Sequence, residues 1–306
     1  MKITEFGGDA ITTTVINAMR ENSNILDLAE FYPISGNADY ARKSASASGG
    51  RFRELNADYP ANQVDPVFAN VALKILGDQV QVDRAHERRG SDIPSVRASE
   101  LLSFGKHLGK EFQNFFYNGS VAVDAKQFNG LKLQVPAAQK KQIATNGLQV
   151  ILGNTNDAKM AQQKFLEAID DLITLVDGGA QFLGMDGKTR SRLTTIARDQ
   201  VSFTVDEFGR QIAYYNGIPI LVSGYDKSGN LIIPHNEVCG NSNSCTSVYA
   251  GRFAEKSDLC FATNIGVEVK DLGLVGVHYT HSVDFDLDLV LLNDKATARL
   301  EGVIIA

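Results

Sequence analysis

Three segments of the chain repeat apolar residues at the spacing of an amphipathic helix. A short helix is predicted after Asp9, a long one after Pro94, and a third over about 156–178. In the long helix the apolar residues form one continuous stripe, which Asn118-Gly119 ends. The apolar positions of the three helices are, in order, Ile11, Val15, Ile16 and Met19; Leu101, Phe104, Leu108, Phe112 and Phe115; and Phe165, Ile169, Leu172 and Val176.

The segment 36–53 is small, polar or basic, and it offers almost nothing to a core. This composition predicts an exposed loop. We expect its tip over 45–50 to be mobile, because Ala, Ser and Gly gain little from burial. Beyond Tyr59-Pro60 the chain becomes strand-like as far as Val82. The whole of 36–82 is therefore predicted to form one long hairpin that projects from the body.

Strands replace helices after Arg198. Asn216-Gly217 accepts the positive φ angles of a two-residue turn, so 211–222 is predicted to be a hairpin. The run from 277 to about 292 contains no turn signal, and as one strand it would extend roughly 50 Å at ~3.3 Å per residue. A long strand, a long helix and a projecting hairpin suit an extended plate better than a sphere.

Charge and composition exclude several classes of protein. The 306 residues include 30 Lys and Arg against 36 Asp and Glu, a net charge of −6. A global polycation that grips phosphates is thereby excluded, because nonspecific nucleic-acid binding neutralises backbone charge. No run reaches the ~18 apolar residues of a membrane-spanning helix, and the N-terminal residues do not resemble a secretory leader. We expect neither membrane insertion nor secretion.

One segment has the order of elements of a phosphate-binding loop. The residues at 182–189 read Phe-Leu-Gly-Met-Asp-Gly-Lys-Thr, between a predicted strand and a predicted basic helix. The motif needs a glycine five positions before Gly187, and Phe182 stands there. A surface helix capped near Asp186 is therefore favoured over a nucleotide site. The chain also lacks a Gly-x-Ser-x-Gly elbow, so we predict no catalytic residues and no cofactor.

The cysteines and nearby acidic and histidine residues suggest a zinc site, because zinc prefers thiolate and imidazole ligands. The group consists of His235, Glu237, Cys239, Cys245 and Cys260. Neither Cys-x2-Cys nor His-x3-His spacing is present, which argues against zinc. Unpaired thiols are favoured over a Cys239–Cys245 disulfide, and that disulfide is favoured over a metal site.

Asp284, Asp286 and Asp288 alternate with apolar residues, so on a strand the three carboxylates share one face. Two functional interpretations are a ladder for divalent ions and a deliberately negative surface. A half-buried strand with an acidic outer face is favoured over a metal site.

The order of these features resembles the major capsid proteins of tailed bacteriophages, which have the HK97 fold. The resemblance is carried over roughly 80–306 by short motifs and over the first 80 residues by layout alone. The motifs are Val80-Gln81-Val82-Asp83-Arg84-Ala85, Phe115-Phe116-Tyr117-Asn118-Gly119, Phe128-Asn129-Gly130-Leu131, Gly178-Gly179-Ala180-Gln181-Phe182-Leu183-Gly184-Met185 with Arg190 and Arg192, Gly217-Ile218-Pro219-Ile220, and Ser247-Val248-Tyr249-Ala250-Gly251-Arg252-Phe253.

The resemblance implies an α+β HK97-like capsid fold with four parts. These are an N-terminal arm over 1–35, an extended loop over 36–82, a peripheral domain over 83–139 and 265–292, and an axial domain over 140–264 and 293–306. The peripheral domain would carry the long spine helix and the long strands. Some members of the family crosslink a lysine of the extended loop to an asparagine of a neighbour. Lys43 lies in that region, but the sequence identifies no other partners of a crosslink, so we make no prediction about one.

The resemblance also implies partners and a location. Copies of the chain would form pentamers and hexamers of a virion shell, assembled in the host cytoplasm with a scaffolding protein and a portal protein, and in some relatives a decoration protein. The shell would enclose double-stranded DNA without sequence-specific binding and without a membrane. An encapsulin-like nanocompartment is the first alternative, and a phosphate- or nucleotide-using enzyme is the second.

Charged residues supply the candidate sites of this shell protein. The acidic stripe of Asp284, Asp286 and Asp288 is expected to face either the lumen or basic side chains of a neighbouring subunit, with no metal. The candidates for contacts between subunits are Arg42, Lys43, Arg51, Arg53, Arg84, Glu87, Arg88 and Arg89.

Overall fold

The computed structural model describes residues 1–43, 52–59, 67–90 and 92–305, so the expected mobile tip over 45–50 lies outside the described residues. None of the helices in these ranges is long and apolar enough to cross a membrane. The α-helices are α1 (Ala10–Asn22), α2 (Ile25–Leu28), α3 (Ala85–Arg88), α4 (Ile93–Asn118), α5 (Leu131–Gln134), α6 (Asn156–Leu175) and α7 (Gly187–Ile196), with 3₁₀ turns at Ile3–Phe6, Ala137–Gln139 and Arg198–Gln200.

The strands form a five-stranded sheet, a nine-stranded sheet and a two-stranded ribbon. They are β1 (Phe31–Pro33), β2 (Ala38–Arg42), β3 (Phe68–Ala72), β4 (Lys74–Asp83), β5 (Lys140–Gln142), β6 (Leu148–Val150), β7 (Phe182–Met185), β8 (Val201–Val205), β9 (Gln211–Tyr215), β10 (Ile218–Val222), β11 (Glu237–Cys239), β12 (Ser242–Gly251), β13 (Leu259–Thr263), β14 (Val267–Val275), β15 (His278–Leu291) and β16 (Thr297–Ile305).

The predicted long strand is confirmed as β15, which runs for 14 residues through the five-stranded sheet. It pairs antiparallel with β4 over 278–287, with β14 over 278–285 and with β13 over 288–291. The short strand β1 extends this sheet by pairing in parallel with β13. The resemblance implied an axial domain over 140–264, which includes β13. Its pairing with β15 instead makes β13 part of the five-stranded sheet.

The long helix α4 packs on one face of the five-stranded sheet. Its 26 residues span about 39 Å at ~1.5 Å per residue. Pro94 lies in its first turn, where a missing amide proton removes no helical hydrogen bond. Phe112 is fully buried, with its ring centroid 5.2 Å from that of Phe261 in β13 and 6.2 Å from that of Phe285 in β15. The aromatic stripe of the helix therefore forms the larger core with the sheet.

The N-terminal helix α1 lies against α4. It begins as predicted after Asp9, whose carboxylate accepts a hydrogen bond from the Thr12 amide at 2.6 Å. The two helices meet at Gly105 and Gly109 of α4, and a Cβ at Gly109 would lie 2.9 Å from the Cα of Met19. Such a close approach of two helix backbones requires glycine.

The nine-stranded sheet has the order β5-β16-β12-β7-β10-β9-β8, with β6 also paired to β16 and β11 to β12. The predicted hairpin is confirmed as β9 and β10, and Asn216 and Gly217 both have positive φ. Helix α6 buries Phe165, Ile169 and Leu172 in a second core, which this sheet completes.

The projecting hairpin is shorter than predicted. Strands β2 and β3 pair antiparallel from Ala38 opposite Ala72 to Arg42 opposite Phe68. The following strand, β4, pairs with β15 along its whole length, so it belongs to the five-stranded sheet. One hairpin over 36–82 is therefore wrong for 74–82. Residues 74–82 do form a strand, as the sequence predicts. The local pattern of a strand does not reveal, however, which distant strand it pairs with.

Candidate assembly surfaces

Large apolar side chains are exposed on the β2–β3 hairpin and on the described segment 52–59. Phe52 is fully exposed, Leu55 is 90% exposed and Tyr59 is 62% exposed. On the strands themselves, Tyr40 and Phe68 are each more than half exposed. Singly exposed apolar residues are ordinary on soluble proteins, but several large ones gathered on one segment mark a surface that contacts other molecules.

The basic candidates of the hairpin have different surroundings. Arg42 is exposed at the end of β2. Lys43 is paired within the chain, because its Nζ lies 2.9 Å from Oδ1 of Asp294. Arg53 donates to two backbone carbonyls of its own segment and lies over the ring of Tyr59. The remaining candidate, Arg51, lies outside the described residues.

A second basic group lies at the end of β4. Its members are exposed and form no ion pair with another residue in the described part of the chain. The group adjoins the turn between β14 and β15, because Arg84 donates its amide to the carbonyl of Val277 at 3.0 Å. Val275 and Val277 are themselves about half exposed, so basic and apolar side chains share this end of the sheet. The members of the group are Arg84, Glu87, Arg88 and Arg89.

The acidic stripe lies on the face of β15 that points away from α4. Asp284, Asp286 and Asp288 are half-buried, and the residues between them are in the core. This arrangement agrees with the interpretation of a half-buried strand. No group of metal-binding side chains is present among the described residues. Asp284 accepts a hydrogen bond from the Ser282 hydroxyl at 2.8 Å.

Asp288 connects the sheet to the base of the hairpin. One of its carboxylate oxygens accepts a hydrogen bond from the amide of Ala72, the last residue of β3, at 2.9 Å. Burial raises the pKa of Asp288 to about 6, and the hydrogen bonds from the Ala72 and Leu289 amides oppose that rise. Asp288 therefore differs from the other two aspartates, because part of its role is to hold the hairpin in place.

In the segment that resembles a phosphate-binding loop, the side chain of Asp186 takes the place that a phosphate would occupy. Asp186 is fully buried and caps α7, accepting hydrogen bonds from the amide of Lys188 at 2.7 Å and that of Thr189 at 3.2 Å. Nε2 of His235 lies 2.9 Å from the same carboxylate, and the Asp186 pKa lies below its usual value because the hydrogen bonds from His235 and Thr189 outweigh burial. The two amides are thus occupied, and the capped surface helix predicted at this position is confirmed.

The cysteines are all buried free thiols. Cys260 lies in β13 of the five-stranded sheet, whereas Cys239 and Cys245 lie on adjacent strands of the nine-stranded sheet. The suggested zinc group is therefore split between two sheets.

A polar contact that sequence reasoning missed joins the N-terminal helix to the loop between β8 and β9. Arg210 donates to the carbonyls of Arg20 and Glu21 at the end of α1, at 3.1 and 2.6 Å. Its Nε also donates to Asp206 at 2.6 Å. The ring of Phe208 lies beneath the guanidinium groups of both Arg20 and Arg210, at 5.2 and 5.1 Å. No local motif signals this contact, since its two sides are about 190 residues apart.

A five-stranded sheet with a long helix on one face, a nine-stranded sheet and a projecting hairpin give this chain the α+β architecture of the HK97 fold. No protein-family model matches the sequence, and no curated protein does so either.

Solved structures with this fold cover nearly the whole chain. The SrpI encapsulin from Synechococcus elongatus has a TM-score of 0.63 at 14% identity, over 92% of this chain and 87% of that one. The capsid of the native GTA particle has a TM-score of 0.61 at 12% identity, over 94% and 90% of the two chains. The capsid of cyanophage P-SCSP1u has a TM-score of 0.54 at 14% identity, over 91% and 86%.

Proposed function

We propose that this protein is the major capsid protein of a tailed bacteriophage. In this proposal, copies of the chain assemble into the pentamers and hexamers of an icosahedral head that encloses double-stranded DNA. The protein is part of the virion and resides in the host cytoplasm before assembly. It acts by forming contacts and has no catalytic turnover.

The observation that carries the shell-forming part of the proposal is the exposed apolar surface of the hairpin and of segment 52–59. Phe52, Leu55 and Tyr59 contribute nothing to the core of their own subunit. Burying a large apolar side chain stabilises an assembly by roughly 1.5–3 kcal/mol. In a closed lattice each copy supplies this surface and each neighbour covers it, so the gain is repeated at every subunit.

The two sheets take different roles in this proposal. The five-stranded sheet with α4 is the peripheral domain, and the nine-stranded sheet with α6 and α7 is the axial domain around which capsomers close. The basic group that contains Arg84 and Arg88 lies at the far end of the peripheral sheet. Its charges form no ion pair with the part of the chain that the structure describes, so they are available to a neighbouring subunit.

The partners in this proposal follow from the shell. A scaffolding protein directs closure, a portal protein admits the DNA, and a decoration protein is compatible with the exposed outer surface. The net charge of −6 favours enclosing DNA without adhesion to it, because like charges repel.

The proposal is tested by expressing the chain with and without its scaffolding protein and imaging the product by electron microscopy. We expect ring-shaped capsomers or closed shells. Leu55→Ser should reduce assembly strongly, whereas Glu54→Gln, an exposed neighbour without an apolar side chain, should assemble as the wild type does. A compact monomer at high concentration under both conditions would contradict the proposal.

A nanocompartment shell is the second candidate, because the likeness to the SrpI encapsulin covers 92% of the chain. The exposed hairpin serves either kind of shell equally well. The contents separate the two: particles purified from the native source should contain nuclease-resistant double-stranded DNA if the protein is a phage capsid, and an enclosed protein if it is a nanocompartment.

A further inference from the structure

Two of the three cysteines form a buried pair in the nine-stranded sheet. Cys239 ends β11 and Cys245 lies in the neighbouring strand β12, which together make a tight hairpin. Besides burial, the thiol of Cys239 is one of the neighbouring groups that raise the pKa of Cys245, so the two side chains lie close together. In the strand register Cys245 stands opposite Glu237 and Cys239 opposite Ser242, so the two cysteines are diagonal neighbours across an irregular part of this hairpin.

Two glycines, Gly147 and Gly302, leave room for the sulfur atoms of Cys239 and Cys245 because they have no side chains. A Cβ at Gly302 would lie 2.7 Å from Sγ of Cys239, and a Cβ at Gly147 would lie 2.9 Å from Sγ of Cys245. Gly147 and Gly302 are themselves in contact, since the Cβ position of Gly302 is 3.3 Å from the Cα of Gly147. The two sulfurs therefore share one niche, whose floor consists of two glycines with positive φ.

The two thiols differ in their surroundings. Gln142 donates a hydrogen bond from Nε2 to Sγ of Cys239 at 2.7 Å, and the Cys239 thiol donates to the carbonyl of Ala144 at 3.6 Å. Cys245 is fully buried, and burial raises the pKa of its thiol. Both residues line a cavity of about 340 Å³, which Lys132 and Arg299 also line.

We propose that Cys239 and Cys245 are a reversible dithiol–disulfide site, oxidised by small-molecule disulfides such as oxidised glutathione. The Cys239 thiolate attacks one sulfur of the reagent, forms a mixed disulfide and releases one thiolate. The Cys245 thiolate then attacks Sγ of Cys239, closes the protein disulfide and releases the second thiolate. The two protons lost by the protein thiols end on the two released reagent molecules, which become thiols.

The bond would cross-link the edge strand β11 to β12. Glu237, at the start of β11, is held by Arg299 at 2.8 Å and by Lys132 at 3.1 Å, so the same hairpin also anchors a nearly buried ion pair. A covalent link beside this pair would resist opening of the edge of the sheet. The thiol pair belongs to the folded chain, so an unassembled subunit would show it as well.

The test counts thiols by mass spectrometry. The reduced protein is incubated with oxidised glutathione while folded, quenched with acid, unfolded and alkylated with N-ethylmaleimide. The chain has 3 cysteines, so the reduced control should carry three adducts. The oxidised protein should carry one, on Cys260, because the other two sulfurs are joined. Three adducts after oxidation, or glutathione retained on the protein, would overturn the proposal.

Variants separate the pair from nonspecific oxidation. In Cys260→Ser the adduct count should fall from two to none on oxidation. Cys239→Ser and Cys245→Ser should each form no internal disulfide; if either does, the assignment of the pair is wrong. The oxidised wild type should also have a Tm higher by roughly 5 °C than the reduced form, with no such difference in Cys239→Ser. An equal Tm in both wild-type forms would contradict a stabilising cross-link.

Discussion

Gly109 of the long helix α4 lies directly against Met19 of the N-terminal helix, so closely that a Cβ at Gly109 would be 2.9 Å from the Met19 Cα and closer still to its carbonyl oxygen. Gly105, one turn earlier, leaves room for Ala18 in the same way. The N-terminal segment is thus fitted to α4 by two glycines, and α1 is an integral part of the core.

Gly109→Ala is expected to destabilise the protein by about 1–3 kcal/mol, because the added methyl overpacks the contact between the helix backbones. The free energy of unfolding is measured by urea denaturation of unassembled subunits. Ser103→Ala, at an exposed position of the same helix, is the control and should be neutral or slightly stabilising. A stable Gly109→Ala variant would show that α1 can move away from α4 without loss.

Asp288 is expected to make the unassembled protein less stable as the pH rises. Its pKa is about 6 in the folded state and its ordinary value is 3.8, so between these values the unfolded chain loses the proton first. The folded state therefore binds more protons in this window, and its stability falls with rising pH until about pH 6, by about 1–3 kcal/mol in total. Below the ordinary value both states are protonated and the effect is absent.

Asp288→Asn is the variant that checks this pH dependence, because an amide retains an acceptor for the Ala72 amide and carries no charge. We expect the variant to be more stable than the wild type at pH 7 and to lose this component of the slope between pH 4 and 6. Asp286→Asn on the same strand face is the control. An unchanged slope in Asp288→Asn would show that Asp288 does not titrate in this range.

Arg210→Lys is expected to loosen the N-terminal helix. Lysine keeps the charge but cannot reproduce the simultaneous bonds to Asp206 and to the carbonyls of Arg20 and Glu21. We expect a loss of about 1–2 kcal/mol, together with faster hydrogen exchange that is concentrated in α1. Arg89→Lys, at an exposed position, should change neither quantity. Uniformly faster exchange over the whole chain would instead indicate a general loss of stability.

The double variant Asp284→Asn/Asp286→Asn tests the acidic stripe while leaving Asp288 in place. If the stripe meets basic side chains of a neighbouring subunit, assembly measured by light scattering should weaken, and it should weaken less at high salt, where the wild-type contact is already screened. If the stripe faces the lumen, empty shells should form normally while DNA packaging changes. Assembly and packaging that are both unchanged would leave the stripe with a structural role only.

The local elements of this protein can be predicted from its sequence. Helices α1, α4 and α6 follow from apolar residues three and four positions apart, together with the caps at Asp9 and near Asn156. The β9–β10 hairpin follows from Asn216-Gly217, and β15 follows from a long run that contains no turn signal. Each of these signals resides within a short stretch of chain, so the physical chemistry of neighbouring residues is sufficient to produce it.

The candidate surfaces are less determined by sequence. The sequence proposes Arg84 and Arg88 as candidates for contacts between subunits; both side chains are exposed, and the contact itself stays a prediction. The pairing of Lys43 with Asp294 and the bond between Asp288 and the Ala72 amide both join residues more than 200 positions apart. These long-range contacts show that Lys43 and Asp288 bind within their own subunit, which the sequence could not reveal.

What only the tertiary structure decided is which distant elements meet. The pairing of β4 with β15, the position of β13 in the five-stranded sheet, the glycine contact between α1 and α4, and the adjacent thiols of Cys239 and Cys245 all depend on how whole elements pack. The pattern of a strand indicates which of its faces is buried, but many strands of suitable length could serve as its partner. The choice among partners is made by the global core, whose energy depends on all of its members at once.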